Sequence, residues 1–284
     1  MLKDREIDDI KHFLAEDLGF GDITGEALID EGTSVEAVIL CKDEGLVAGL
    51  KEVQELFRLL GCESKNLIED GTWVKPGHEI LLIHGPAKNM LQGERVALNL
   101  LSRMSGIATA TKRLIASVRG ISETVKVAAT RKTAPGLRSF DKRAVIVGGG
   151  DPHRFRLDDC ILIKDNHLAI VGSITEAVRR ARQRVSFTKK IEVEAKSIEE
   201  VLEAARVGSD IVMLDNFSPN EAERALRALE KEDLRNKVVL EASGEINESN
   251  IQDYARAGID VISSGSITHS AKAMNMSLEV KKRI

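Results

Sequence analysis

The sequence predicts an α/β protein: an incomplete or distorted α/β barrel of the TIM type, joined to a smaller α+β domain. Three observations predict this. From about Val125 onward, short β-branched runs alternate with amphipathic helical segments, as consecutive βα units around a parallel sheet require. About six such units fit the remaining length, fewer than the eight of a complete barrel. The preceding residues lack this alternation and mix helix-period with strand-period segments. A doubly wound open sheet is the alternative topology for the same pattern.

The first domain is placed at 1–108. It opens with an early helix in MLKDREIDDIKHFLAEDLG, continues with the strand-like EAVIL (36–40) and a helix around VQELFRLLG (53–61), and ends in the hairpin-like DGTWVKPGHEILLIHG (70–85). That hairpin faintly resembles a lipoyl-type turn, but Lys75 lacks the flanking residues of an acceptor lysine and reads as structural. The junction reads as one continuous helix over 89–119.

The second domain is placed at 109–270. Its strands are VKVAAT (125–130), CILI (160–163), IEVEA (191–195), DIVMLD (210–215), VVLEAS (238–243) and DVISS (260–264). Helical spacing fills the segments beginning at Ser173, Ser197, Ser218 and Asn247. Ser173 with Glu176, Ser197 with Glu200, and Ser218 with Glu221 form capping boxes, and Pro219 occupies the first helical position of the third. Gly208 and Gly258 fall where helices should stop.

Composition excludes several function classes. The chain has 284 residues, 43% hydrophobic and 30% charged, the balance of a soluble globular protein. A 3% aromatic fraction and a net charge of −4 argue against a base-stacking or strongly basic nucleic-acid binder. The first residues lack the apolar core of a signal peptide and no later run is long enough to span a membrane, so a cytoplasmic protein is expected. Cys41, Cys62 and Cys160 are scattered and odd in number, which suggests neither a disulfide framework nor a cysteine zinc site.

In parallel α/β architectures the functional site lies at the C-terminal ends of the strands. Here every one of those ends carries polar residues: Arg131 and Lys132; Lys164, Asp165 and Asn166; Glu194; Asp215 and Asn216; Ser243 and Gly244; Ser264 and Gly265. With His153 and Arg154, the early units offer cations for several carboxylates or phosphates. The Ser-Gly turns suit a phosphate bound through backbone N–H groups. Glu194 and Asp215 could hold hydroxyls or a hard dication such as Mg²⁺. Glu192 is expected on the strand face opposite Glu194. His12, His78, His84 and His269 read as structural or exposed, while His167 could orient the site or support it. Together the strand ends describe a site for a polyanionic ligand with a polar middle, such as a phosphorylated sugar.

The segments TRKTAPGLR (130–138), GGGDPHRFRLDDCILIKDNH (148–167), IEVEA, MLDN (213–216), LEASG (240–244) and ITHS (267–270), taken together, resemble quinolinate phosphoribosyltransferase. EDLGFGDIT (16–24) and GERVALNLLSRMSGIATAT (93–111) extend the resemblance over nearly the whole chain. It implies an N-terminal open-faced sandwich rejoined by the tail 271–284, and an incomplete barrel. It also implies transfer of phosphoribosyl from phosphoribosyl pyrophosphate to quinolinate with decarboxylation, assisted by Mg²⁺, in a homodimer with shared sites and room for higher assembly. By motif, Arg131, Lys132, His153 and Arg154 resemble the binders of the quinolinate carboxylates, with Arg95 joining from a neighbouring subunit. Lys164, Glu194 and Asp215 resemble residues around ribose, pyrophosphate and metal, while Ser243, Gly244 and Gly265 match the phosphate loops. Three positions depart from the family pattern: Ala134 replaces the usual Thr, Arg156 the usual Gly, and Glu245 a small or amide residue.

Three other readings use the same residues. Lys164 or Lys132 could form a Schiff base in an aldolase-like barrel, although the ring holds more cations than that chemistry needs. A related paralogue associated with molybdate transport departs from TRKT and LIKDNH, both intact here. A non-catalytic sugar-phosphate sensor would keep the anion site without turnover.

Overall fold

The computed structural model describes residues 2–284, which divide into two compact units. One unit runs to Ala110 and takes in Pro135–Gly149 and Ala271–Ile284; the other is Thr111–Ala134 with Gly150–Ser270. The helix Ala87–Arg119 forms the junction. The sequence had assigned 109–270 to the barrel, whereas the helix Arg138–Val147 clusters with the first unit. Its buried face mixes Phe140, Ala144 and Val145 with the charged Asp141 and Lys142, which blurs the apolar period. Asp141 accepts both hydrogen bonds of the Arg103 fork, at 2.7 and 2.8 Å.

The first unit holds a four-stranded antiparallel sheet in the order 276–283, 34–41, 79–86, 63–66. Ile39, Leu81, Ile83, Leu56 and Phe57 are wholly buried in its core. The predicted hairpin does not form. Trp73–Val74 pairs with Gly45–Leu46 in a separate two-stranded sheet, while Glu79–Pro86 joins the larger one. At the turn, Gly77 N–H donates to Cys41 O at 2.8 Å and Cys41 N–H to His78 O at 3.0 Å. The turn also closes on itself, His78 N–H donating to Lys75 O at 3.2 Å, so the bonds to Cys41 tie it to a neighbouring strand while its two arms pair elsewhere.

The second unit is a six-stranded parallel sheet. We label its strands β1 (Lys126–Ala129), β2 (Ile161–Ile163), β3 (Ile191–Ala195), β4 (Ile211–Asp215), β5 (Val239–Gly244) and β6 (Val261–Ser264). Their order is β1-β6-β5-β4-β3-β2, so β1 and β2 stand at the two edges and the barrel is incomplete between them. Ser173, Ser197 and Ser218 cap their helices by accepting from Glu176, Glu200 and Glu221 N–H. Only the third box is reciprocal. Glu176 instead binds Arg179 and Arg180, and Glu200 accepts from Lys196 N–H. At the strands' N-terminal ends, Asp210 bridges Arg182 to Ile191 N–H, and Asp260 bridges Arg235 to Leu240 N–H. Among the described residues, no helix is long and apolar enough to cross a membrane.

Gly106 marks where the C-terminal tail meets the long helix within the first unit. A Cβ there would lie 2.2 Å from Lys272 O, and Met274 N–H donates to Ser102 O one turn earlier at 2.9 Å. Gly106→Ala should therefore lower the melting temperature by several degrees, through roughly 1–3 kcal/mol of overpacking, despite alanine's better helix propensity. Calorimetry showing an unchanged or higher transition would refute this close approach.

Candidate functional site

A cavity of about 820 Å³ opens at the C-terminal ends of the strands and is lined only by residues of the second unit. Direction explains its location: in a parallel sheet all strands finish at the same edge, and the loops converge there. Arg131 and Lys132 follow β1, His153 and Arg154 come from the loop before β2, and Lys164 follows β2. Glu194 is the penultimate residue of β3, Asp215 ends β4, and Ser243 and Gly244 end β5.

Lys164 stands between the end of β2 and the helix Asp165–Val171, at that helix's N-cap position. Its backbone N–H donates to His167 Nδ1 at 2.9 Å, so His167 is a support of the site. Its Nζ lies 2.9 Å from Glu194 Oε2. Asp165 and Asn166 belong to that helix and do not line the cavity; Asp165 pairs with Lys196 at 2.9 Å. Asn216 sits at φ 59° and donates to Asp215 Oδ1 at 2.8 Å. Gly244 is required beside it: φ is 142° and a Cβ would sit 2.6 Å from Asn216 Oδ1. Burial, and then the charge of Glu194, hold the Asp215 carboxyl above its ordinary value.

Below these groups lies a layer the sequence reading misplaced. Residues two apart on a strand share a face, so Glu192 turns to the same side as Glu194 rather than away from it. Glu241, two residues before Ser243, turns inward likewise and lines the cavity. His153 Nε2 lies 3.1 Å from Glu241 Oε2 and 3.8 Å from Glu192 Oε2. Glu192 is fully buried and neither carboxylate oxygen has a hydrogen-bond partner. Burial, reinforced by the charge of Glu241, pushes its carboxyl up to about 7.

The same alternation relocates one predicted site residue. Ser243 pairs in register with Ser263, and Ser263 lines the cavity. Ser264 faces the other way, fully buried, and donates to Ile246 O at 2.6 Å. Gly265 does not line the cavity, but a Cβ there would come within 3.0 Å of Lys132 Cδ and the His269 ring. His269, read as structural or exposed, does line it, as do Asn247 and Ser266. Arg95 is exposed on the long helix of the first unit and is not a lining residue. Of the departures from the family pattern, Glu245 adds a carboxylate to the lining, whereas Arg156 and Ala134 stand outside it.

Comparison with known proteins gives a consistent result. The quinolinate phosphoribosyl transferase N-terminal domain matches residues 22–105 and its C-terminal domain matches 107–279. The probable carboxylating nicotinate-nucleotide pyrophosphorylase of Methanothermobacter thermautotrophicus is 48% identical over 97% of this chain and 99% of its own. The Homo sapiens carboxylating nicotinate-nucleotide pyrophosphorylase is 39% identical over 89% of this chain and 85% of its own. The crystal structure of NadC from Streptococcus pyogenes superposes with a TM-score of 0.91 at 38% identity, covering 99% of each chain.

Glu192 carries a pH signature. Its carboxyl titrates near 7 in the fold against an ordinary 4.5, so the folded state binds the proton more tightly than the unfolded state does. The stability from that proton is complete below 4.5 and lost as pH rises through about 7. Glu192→Gln cannot ionise, so its melting temperature relative to wild type should rise by roughly 2–5 °C between pH 5 and pH 8. Parallel curves for the two proteins across that range would contradict the assignment.

Proposed function

The chain belongs to the quinolinate phosphoribosyl transferase family, and from that premise we propose how its cavity performs the family's reaction. It is an enzyme of NAD biosynthesis that transfers phosphoribosyl from phosphoribosyl pyrophosphate to quinolinate. The products are nicotinate mononucleotide, pyrophosphate and CO₂. One observation carries the residue assignment: Arg131, Lys132 and Arg154 share a single cavity with Glu194 and Asp215.

In this reading Arg131, Lys132 and Arg154 bind the two carboxylates of quinolinate and orient its ring nitrogen. As the bond from ribose C1 to pyrophosphate breaks, both electrons leave with pyrophosphate. The positive charge left on the ribose faces Glu194 and Asp215, which stabilise it electrostatically. Lys164, held by Glu194, neutralises the departing anion, and the Ser243-Gly244 turn receives the phosphate. The pyridine nitrogen bonds to C1 and becomes quaternary. When the adjacent C–CO₂ bond breaks, its electron pair stays on the ring carbon beside that nitrogen, and a proton then replaces CO₂. No strong base is required, so position and charge supply the acceleration.

Glu194 and Asp215 also fit a hard dication, because their crowded like charges would be relieved by one. Mg²⁺ held there would supply charge neutralisation to the pyrophosphate. We assign the active form as a homodimer in which Arg95 of one subunit completes the cavity of the other. We place it in the cytoplasm with its polyanionic substrates, which do not cross lipid unaided.

Pyrophosphate release from phosphoribosyl pyrophosphate should start only when quinolinate is added and should strongly exceed the rate with nicotinate, which has too few carboxylates for the cations present. Binding without quinolinate-dependent release would identify a sensor instead. Subunit mixing tests the shared site. Lys132→Ala should lose roughly 10²-fold or more in turnover while keeping its thermal transition. Mixed with an inactive Arg95→Ala protein, it should recover about 25% of wild-type activity, since about half the dimers are mixed and each has one intact site of two. No recovery after verified exchange would place Arg95 outside the partner's site.

A further inference from the structure

We infer that His153 is a neutral positioning residue, locked between the Arg154 backbone amide and the Glu241 carboxylate. It sets the Arg154 side chain in the cavity without lending its own positive charge to the substrate. This deepens the reading above and rests on quinolinate being held at Arg154.

The geometry of the two ring nitrogens carries the argument. The Arg154 backbone N–H donates to His153 Nδ1 at 2.8 Å. An N–H donor needs a lone pair, so Nδ1 carries no hydrogen. The single proton of the neutral ring is then on Nε2, 3.1 Å from Glu241 Oε2, where it forms a charge-assisted hydrogen bond. A second proton could enter only at Nδ1, where it would meet the amide hydrogen head on. The same placement denies the site to a metal ion. His153, Glu192 and Glu241 offer ligand atoms within 4.8 Å of one another, but Nε2 has no lone pair left to give.

The backbone shows how firmly the ring is set. His153 has φ 53°, a left-handed conformation unusual for a residue with a Cβ, and its own N–H donates to Asp151 Oδ1 at 2.7 Å. The ring meets Glu241 from β5, Glu192 from β3 and the Arg154 amide after it, while Asp151 before it bonds the His153 backbone. Both acids pull towards a charged imidazole. Glu241 obtains a hydrogen bond from the neutral ring already, whereas charging the ring would break the bond that fixes Arg154. The bonds of His153 to Asp151 and Glu241 thus fix a ring whose Nδ1 holds the backbone of Arg154, the residue with the fork suited to a carboxylate.

Two measurements test this. Histidine ¹⁵N NMR of the substrate-free protein, with His153 assigned by its loss in His153→Asn, should show the Nε2–H neutral tautomer throughout pH 6 to 8; an imidazolium at pH 7 overturns the proposal. In kinetics, His153→Ala should raise KM for quinolinate by roughly tenfold, about 1.4 kcal/mol. His153→Asn should recover most of that loss, because asparagine accepts the left-handed backbone and can take the Arg154 amide bond. If the Asn protein is as impaired as the Ala protein, the charge mattered and the proposal fails. Should His153→Ala not fold, the tautomer decides alone. A wild-type protein that does not turn over quinolinate would sink the functional reading yet leave the tautomer result standing, so the two failures are distinguishable.

Discussion

Six parallel strands that all end at one edge impose the constraint on which the second unit depends. Parallel strands share a direction, so whatever follows each strand in sequence is delivered to a common rim. The rim gathers Arg131, Lys132, Lys164, Glu194, Asp215 and Ser243 from segments more than a hundred residues apart. The opposite rim, where the strands begin, is tied by Asp210 with Arg182 and by Asp260 with Arg235. Those pairs also bond the first N–H of β3 and the N–H of Leu240, so they organise strand starts rather than chemistry.

Charge is distributed by depth. The upper layer keeps its ions near solvent: Lys164 and Lys132 are partly or largely exposed, and their charges remain available to a ligand. The lower layer buries Glu192 and Glu241 with little to offset them beyond the His153 Nε2 hydrogen bond to Glu241 and the charge of Arg154. A buried carboxylate without a donor is costly. Glu192 responds by holding its proton to about pH 7, which limits that cost at neutral pH.

The first unit handles buried charge differently. Arg103 meets Asp141 through two parallel bonds, and Arg143 reaches both Glu6 and Glu52. Burial raises the Glu52 carboxyl, with Arg143 opposing. These pairs are intact within the unit, and each acid has a guanidinium beside it. Here the charges join helix to helix, and none lines the cavity of the second unit.

The amino-acid sequence by itself determined the alternation of strands and helices, their caps and the polar character of the strand ends, because each of these follows from local spacing and chemistry. All six barrel strands and the helices after Ser173, Ser197 and Ser218 stand where periodicity placed them, and the segment expected from Asn247 becomes helical only at Ile251. Tertiary structure decided what local spacing does not encode. The helix Arg138–Val147 was obscured because its buried face mixes Asp141 and Lys142 with apolar residues, and the two arms of the 70–85 segment pair with different strands rather than with each other. Glu192 and Glu241 were legible in principle, since alternation by twos puts them beneath Glu194 and Ser243, and Ser264 was misassigned for want of the same rule. That His153 would meet them was not legible. A residue in the left-handed region, turned on a loop, reaches partners about 40 and 90 positions away only because the strands have already converged.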